Sequence, residues 1–311
     1  MSENPSIWGE LAGLTLTKGH GTGNDFIFLT DENAEIALTP ELVARVCDRH
    51  FGIGADGFIR AARSTASRAG QKLLEEHPDA VWFMDYRNGD GSIAEMCGNG
   101  VRAFVEYLRA EGLSELEVGE TVKIGTRAGV KTVARTEEGY AIDMGPWSFI
   151  HGEAAREGGE DCLVSARGLK TPRAGLSISM GNPHTVVMLG SDGKLDGLDL
   201  HSLPQVNPAP VNGTNVEFVV PVDLDVESGA QVGAIRMRVH ERGVGETLSC
   251  GTGACAAAAA TRFWGGEEAP DEWLVHVPGG TLAVTFVLGP DDLEHVVLAG
   301  PAQMVATVVL R

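Results

Sequence analysis

Residues 85–108 read DYRNGDGSIAEMCGNGVRAFVEYL, and residues 239–260 read VHERGVGETLSCGTGACAAAAA. In both, a glycine-rich turn leads into Cys-Gly-x-Gly and then an apolar helical run. Glycines let the backbone turn sharply into a helix, whose first N–H groups are unpaired and partly positive. The cysteines, Cys97 and Cys250, stand 153 residues apart. Further out, Gly23-Asn24-Asp25-Phe26 and Gly181-Asn182-Pro183-His184 are 158 apart, each leading into a short apolar strand. Asp56-Gly57-Phe58-Ile59 and Val216-Glu217-Phe218-Val219 are 160 apart. Three correspondences in the same order point to two copies of one unit.

Short strand-like runs recur between turn signals, from LTLTKGH at residues 14–20 to MVATVVL at residues 304–310, and several alternate apolar with polar residues. Helical patterns are fewer: TPELVARVCDRH (39–50), GNGVRAFVEYLRAEG (98–112) and GTGACAAAAATRFWGG (251–266). Many strands with a few isolated helices predict an α+β fold. Residues 61–79 and 151–175 are charged and poorly periodic, and read as surface loops.

The 311 residues carry 24 Lys and Arg against 43 Asp and Glu, a net charge of −19. A nucleic acid or anionic membrane partner needs clustered cations, so both are set aside. No apolar run approaches the roughly 20 residues of a membrane span. MSENPSIWGELAG has neither a basic start nor an apolar signal core, so a cytoplasmic location is the expectation. Five scattered cysteines make no disulfide framework. Cys47 and Cys255 read as small buried hydrophobes, and Cys162 as a thiol in an exposed loop. His20, His50 and His240 lack the spacing of a helical zinc site, and GTGND and GIGADG lack the context of a dinucleotide site. The expectation is therefore no metal and no cofactor.

A thiol at a helix start is biased toward thiolate, and the same N–H groups can hold a carboxylate. Two equivalent thiols suit disulfide redox or a two-base inversion, in which one group removes an α-proton and the other delivers one to the opposite face.

On these motifs the chain resembles the diaminopimelate epimerases, pyridoxal-phosphate-independent enzymes that interconvert LL- and meso-2,6-diaminopimelate. The resemblance rests on HGTGNDF (20–26), RHFGIGADG (49–57), NGDGSIAEMCGNGVRAF (88–104), GNPH (181–184), NVEFV (215–219) and HERGVGETLSCGTGACAAA (240–258). It implies two pseudo-symmetric α+β domains, each a β-sheet wrapped around a central helix, with the active site in the cleft between them. Residues 14–141, completed by a strand in 297–311, would form the first domain and residues 142–296 the second. The resemblance makes Cys97 the proton donor and Cys250 the acceptor from LL to meso, with the roles exchanged in reverse. His184 and Glu241 would tune the cysteine pKa values. Substrate contacts would come from Asn24, Asn88, Asn182, Asn215, Glu241 and Arg242, and from the N–H groups of Gly98, Asn99, Gly251 and Thr252. Amides, an Arg and a Glu suit a substrate with an ammonium and a carboxylate at each end.

The family further implies a cytoplasmic homodimer serving lysine and peptidoglycan synthesis, with a small-molecule substrate and neither nucleic acid nor membrane as partner. There are departures: Gly57 stands where some members have a substrate-contacting Gln, Thr252 stands where others have Ser, and the first 13 residues form an extension without obvious role. Taken alone, Asn88 and Asp90 read as turn residues, His184 as structural, Glu241-Arg242 as a solvated ion pair, and Glu95 and Glu246 as structural groups. Rivals are a proline or hydroxyproline racemase, an isomerase of the phenazine-biosynthesis type (which lacks the cysteine pair), and a thiol redox protein.

Overall fold

A computed structural model describes residues 7–223 and 231–311, so the first six residues of the N-terminal extension fall outside it. The chain divides into two units, Met1–Ile142 with Gly300–Arg311, and Asp143–Ala299.

The first unit contains β1 (Thr15–Gly21), β2 (Asn24–Thr30), α1 (Pro40–Cys47), β3 (Gly57–Arg63), α2 (Arg68–Glu76), β4 (Trp82–Asn88), α3 (Gly98–Ala110), β5 (Thr121–Thr126) and β6 (Gly129–Thr136). β7 (Gly139–Pro146) carries the chain out of the unit, and the closing strand Gln303–Val309 lies beside β1. β2 explains why FIFLT is an unbroken apolar run. Phe26 and Phe28 form an aromatic cluster with Tyr86 and with Tyr107 of α3, while Ile27 and Leu29 join Val43 and Val46 of α1 in a second core. Side chains alternate across a strand, so a strand covered on both faces must be apolar throughout. α3 is buried all round from Gly98 to Val105, with β1, β2, β3, β4, β6 and the closing strand packed around it.

The second unit runs through β8 (Ser148–Phe149), α4 (Gly152–Gly158), β9 (Cys162–Ser165), β10 (Arg173–Ser179), β11 (Pro183–Met188), α5 (Asp192–Asp196), β12 (Gln205–Asn207) and β13 (Asn215–Pro221). It continues through β14 (Val232–Glu241), β15 (Gly245–Thr247), α6 (Gly251–Gly265), β16 (Glu272–Val277), β17 (Gly280–Leu288) and β18 (Glu294–Gly300). Its central helix is α6, where alanines from Ala256 to Ala260 let β10, β11, β13, β14, β16 and β17 pack closely around it.

The two sheets have one topology. In the first, the order is closing strand, β1, β2, β3, β4, β5, β6, β7, and only β2/β3 and β4/β5 are parallel. In the second it is β8, β10, β11, β13, β14, β16, β17, β18, and only β11/β13 and β14/β16 are parallel. Register corrects one correspondence read from the sequence. Phe26 pairs with Gly57 and His184 with Asn215, so Gly57 matches Asn215, and Ile59 matches Glu217. On the next strands Gly57 faces Asn88 and Val216 faces His240, which sets Asn88 against Glu241. Each of these two residues precedes its cysteine by nine positions.

Both segments read as loops are structured. α2 is capped by Ser67, whose Oγ accepts from the Gly70 N–H at 2.8 Å, and α4 ends at Gly159 in the left-handed conformation. Their outward polar residues hide the helical period. Cys162 is also not exposed: in β9 it and Val164 turn inward to a core with Val187, Phe218 and Leu198, while Leu163 turns out. Burial, then Asp161, pushes the Cys162 thiol up to about 12. The described part of the N-terminal extension has a structural role, since Leu11 is fully buried beside Leu310 and the Gly13 N–H donates to the Leu310 carbonyl at 2.9 Å. No helix among the described residues is long and apolar enough to cross a membrane.

Candidate active-site residues

Cys97 is the N-cap of α3, in extended backbone, and its Sγ accepts from the Gly100 N–H at 3.4 Å. Its thiol lies 3.5 Å from Asn24 Oδ1, and the Asn99 amide donates to the same oxygen at 3.4 Å. The Asn24 amide nitrogen donates to Asp56 at 2.7 Å, which fixes its oxygen toward the sulfur. Behind it, Arg49 bridges Asp56 and Asp25 at 2.7 and 2.8 Å, and Lys18 reaches Asp25 at 3.1 Å. Burial opposes ionisation of Asp25, but Arg49 and Lys18 outweigh it and hold its carboxyl below the usual range. The stretch RHFGIGADG thus supplies the clamp on Asn24, a role its sequence did not disclose. Asn99 is almost fully buried, and its side-chain oxygen accepts from Arg102 at 2.8 Å, which holds the first turn of α3. Asn88, at the end of β4, is half-buried, and its amide donates to Ser92 Oγ at 3.0 Å. Gly57 sits opposite it; a Cβ there would meet the Tyr86 ring at 2.6 Å and the Arg87 carbonyl at 2.7 Å. A Gln at this position would require β4 to shift.

Cys250 is the N-cap of α6 and is buried, with its Sγ 3.6 Å from Thr252 Oγ1. The expected bias toward thiolate is reversed here. Burial pushes the Cys250 thiol well up, the carboxyls of Glu241 and Glu217 add to it, and the Thr252 hydroxyl and Gly253 N–H oppose them. The loss of water outweighs the helix amides. Asn182 donates to Thr252 Oγ1 at 3.4 Å, and its oxygen lies 3.0 Å from His184 Nε2. His184 Nδ1 lies 2.7 Å from Glu217 Oε1, with both side chains fully buried. His184 is thus a buried histidine with both ring nitrogens paired inside the unit, as a structural reading also expects.

Asn215 accepts from the Arg242 N–H at 2.9 Å and donates to the Pro183 carbonyl at 3.2 Å. Glu241 accepts from the Thr247 hydroxyl, and the Arg242 guanidinium donates to the Asn212 carbonyl at 2.9 Å. Glu246 is held by Arg238 through two hydrogen bonds of 2.7 and 3.0 Å, in keeping with a structural role. Glu217 was missed as a site residue. Its signal was a single carboxylate in the middle of the apolar strand NVEFV.

Each unit therefore gathers its own half of the expected residues around a helix-capping cysteine. In the first these are Cys97, Asn24, Asn99 and Gly98; in the second, Cys250, Thr252, Gly251, Asn182 and His184, with Asn215 joined to Arg242. Asn88 and Glu241 occupy equivalent strand ends and bond to local hydroxyls.

Among solved structures, a phenazine-biosynthesis family protein of Bacillus anthracis matches 95% of this chain and 98% of its own, with a TM-score of 0.62 and 16% identity. A hydroxyproline epimerase of Agrobacterium vitis, solved with trans-4-hydroxy-L-proline, matches 94% of this chain and 90% of its own, at a TM-score of 0.58 and 14% identity. At such identities the likeness is one of fold. In sequence, a protein of Mycobacterium tuberculosis named diaminopimelate epimerase is 42% identical, covering 90% of this chain and 95% of its own. One of the same name from Rhodococcus erythropolis is 41% identical over 95% and 96%. The family profile described as diaminopimelate epimerase matches residues 16–150 and 176–305, leaving out all of α4 and β9. The chain belongs to the diaminopimelate epimerase family.

Proposed function

We propose that this chain is an isomerase that interconverts LL- and meso-2,6-diaminopimelate without a cofactor, using Cys97 and Cys250 as its two acid/bases. The observation that carries the reading is the duplication: each cysteine caps the central helix of one of two topologically identical sheets. From LL to meso, the Cys250 thiolate takes the α-proton and the Cys97 thiol gives one to the opposite face; from meso to LL the roles exchange. The α-proton of an amino acid is weakly acidic, so the carbanion needs fixed donors on its carboxylate. The N–H groups of Gly98, Asn99, Gly251 and Thr252 are suited to that task because helix amides need no reorganisation as charge develops. Asn24, Asn88, Asn182 and Asn215 offer both a donor and an acceptor, Arg242 a carboxylate partner, and Glu241 an ammonium partner. In this reading His184 and Glu241 adjust the proton affinities of the sulfurs, and the enzyme is a cytoplasmic homodimer supplying lysine and peptidoglycan synthesis, with neither nucleic acid nor membrane as partner.

Solvent deuterium uptake at the α-carbon tests this. LL-diaminopimelate should exchange and proline should not, and Cys97→Ser or Cys250→Ser should reduce epimerisation by several orders of magnitude. Exchange into proline, or full activity in either variant, would overturn the assignment.

A further inference from the structure

A carboxyl group that the proposed chemistry does not use lies beneath the first turn of α6. Glu217 is fully buried; its Oε1 is 2.7 Å from His184 Nδ1, and its Oε2 makes no hydrogen bond of ordinary geometry among the described residues. It comes this close to the helix because residue 253 is Gly. A Cβ there would lie 2.8 Å from Glu217 Oε1 and 3.2 Å from Cys250 Sγ. The matching positions in the first unit are Phe26 and Ile59, both fully buried and apolar, whose side chains flank Gly100 in the same way. The two half-sites are therefore alike in backbone and unlike in chemistry.

From Glu217 a chain of hydrogen bonds leads to sulfur: His184 Nε2 to Asn182 Oδ1 at 3.0 Å, Asn182 Nδ2 to Thr252 Oγ1 at 3.4 Å, and Thr252 Oγ1 to Cys250 Sγ at 3.6 Å. An amide oxygen only accepts, so His184 Nε2 carries hydrogen. One further proton then bridges His184 Nδ1 and Glu217 Oε1 across 2.7 Å. Burial raises the Glu217 carboxyl's hold on a proton and outweighs His184 and the Glu217 and Thr185 backbone N–H groups, which favour its charge. Thr252 Oγ1 accepts from Asn182, so its own hydrogen is free to point at the sulfur. Around Cys97 the polarity is opposite. Asn24 spends its N–H on Asp56 and turns an acceptor toward the sulfur, while the Gly100 N–H donates to it as the Gly253 N–H does to Cys250.

We propose that Glu217 is a positioning residue that, through His184 and Asn182, turns the Thr252 hydroxyl into a donor to Cys250 and so offsets part of the burial that holds this sulfur as a thiol. This rests on the two-cysteine reading above. The charged or titratable groups facing Cys250 are Glu217 on β13 and Glu241 on β14, opposed within α6 by the Gly253 N–H. A proton shared between Glu217 and His184 removes one of the two negative charges.

Alkylation of Cys250 by iodoacetamide across a pH series, located by peptide mass mapping in the full chain carrying Cys97→Ala, reads the proposal without substrate. It can therefore fail while deuterium exchange succeeds, and the reverse. Thr252→Val and Glu217→Leu should each raise the alkylation midpoint by about one pH unit, a tenfold loss of thiolate at fixed pH. Both cut the same chain, so the double variant should move no further than Thr252→Val alone. Glu217→Gln, whose amide can donate to His184 Nδ1, should restore most of the shift. If Glu217→Leu does not fold, Asn182→Ala cuts the chain at a half-buried link and must show the same shift and the same non-additivity. A midpoint unchanged or lowered in Glu217→Leu (or in Asn182→Ala, where that variant stands in), or additive shifts in the double variant, would overturn the proposal.

Discussion

A sulfur at a helix start feels two opposed influences, and which prevails depends on how much water it has lost. Cys97 is only partly buried, whereas Cys250 is buried beside two carboxyls, and there burial prevails. The same physics acts on two further thiols. Burial pushes both Cys47 and Cys162 up to about 12, so neither should react with iodoacetamide near neutral pH until the protein is unfolded, and peptide mapping before and after denaturation checks this. Asp85 shows the reverse balance. It is 4% exposed; burial opposes its charge, but Arg127 and Arg60, the latter at 2.5 Å, outweigh that and hold its carboxyl below the usual range. A carboxyl depressed on folding stabilises fully above its unfolded pKa, so its contribution persists above about pH 4 and is lost as pH falls through the folded value. Asp85→Ala would leave Arg127 without its carboxylate and Arg60 with Asp31 alone, and should cost about 3 kcal/mol in urea unfolding, a loss that shrinks in acid. The cysteines stood out because they sit in matching glycine-marked turns at helix starts, whereas the asparagines, which taken alone read as turn residues, were pointed to only by the family resemblance. Glu217 was not legible, because the sequence cannot show that a mid-strand carboxyl points at a helix end on another element.

At the scale of elements, the strands and the two central helices were readable because alternation and caps are local. What escaped was polar secondary structure at the edges. α2 and α4 carry their charges outward, so their composition reads as loop, and only the Ser67 cap and the left-handed Gly159 mark where they begin and end. Ser67→Ala should lower stability by about 1 kcal/mol, seen as a small drop in the denaturation midpoint with turnover unchanged. α6 is less forgiving. Ala257 is fully buried among the surrounding strands, and Ala257→Leu should cost about 1–3 kcal/mol or more by overpacking, measurable in the same denaturation experiment.

Across the whole molecule, the repeat seen in three short motifs proves to be a repeat of complete sheets, strand by strand and with the parallel pairs in the same places. Its third correspondence was read two residues out of register, because Phe58 and Phe218 look alike in sequence while strand pairing aligns Ile59 with Glu217. The corrected alignment brings out the chemical inequality of the halves, with apolar Phe26 and Ile59 under one cysteine and His184 with Glu217 under the other. The N-terminal segment belongs to the first sheet's core, and Leu11→Ala should cost about 2–5 kcal/mol of stability. The central claim, two bases on opposite faces, is tested most directly by early turnover of LL-diaminopimelate in deuterium oxide. If one cysteine removes the proton and the other returns a solvent-derived one, the first meso product carries deuterium at the inverted carbon while recovered substrate stays unlabelled. Product retaining the substrate's own hydrogen, or label entering both at equal rates, would contradict it.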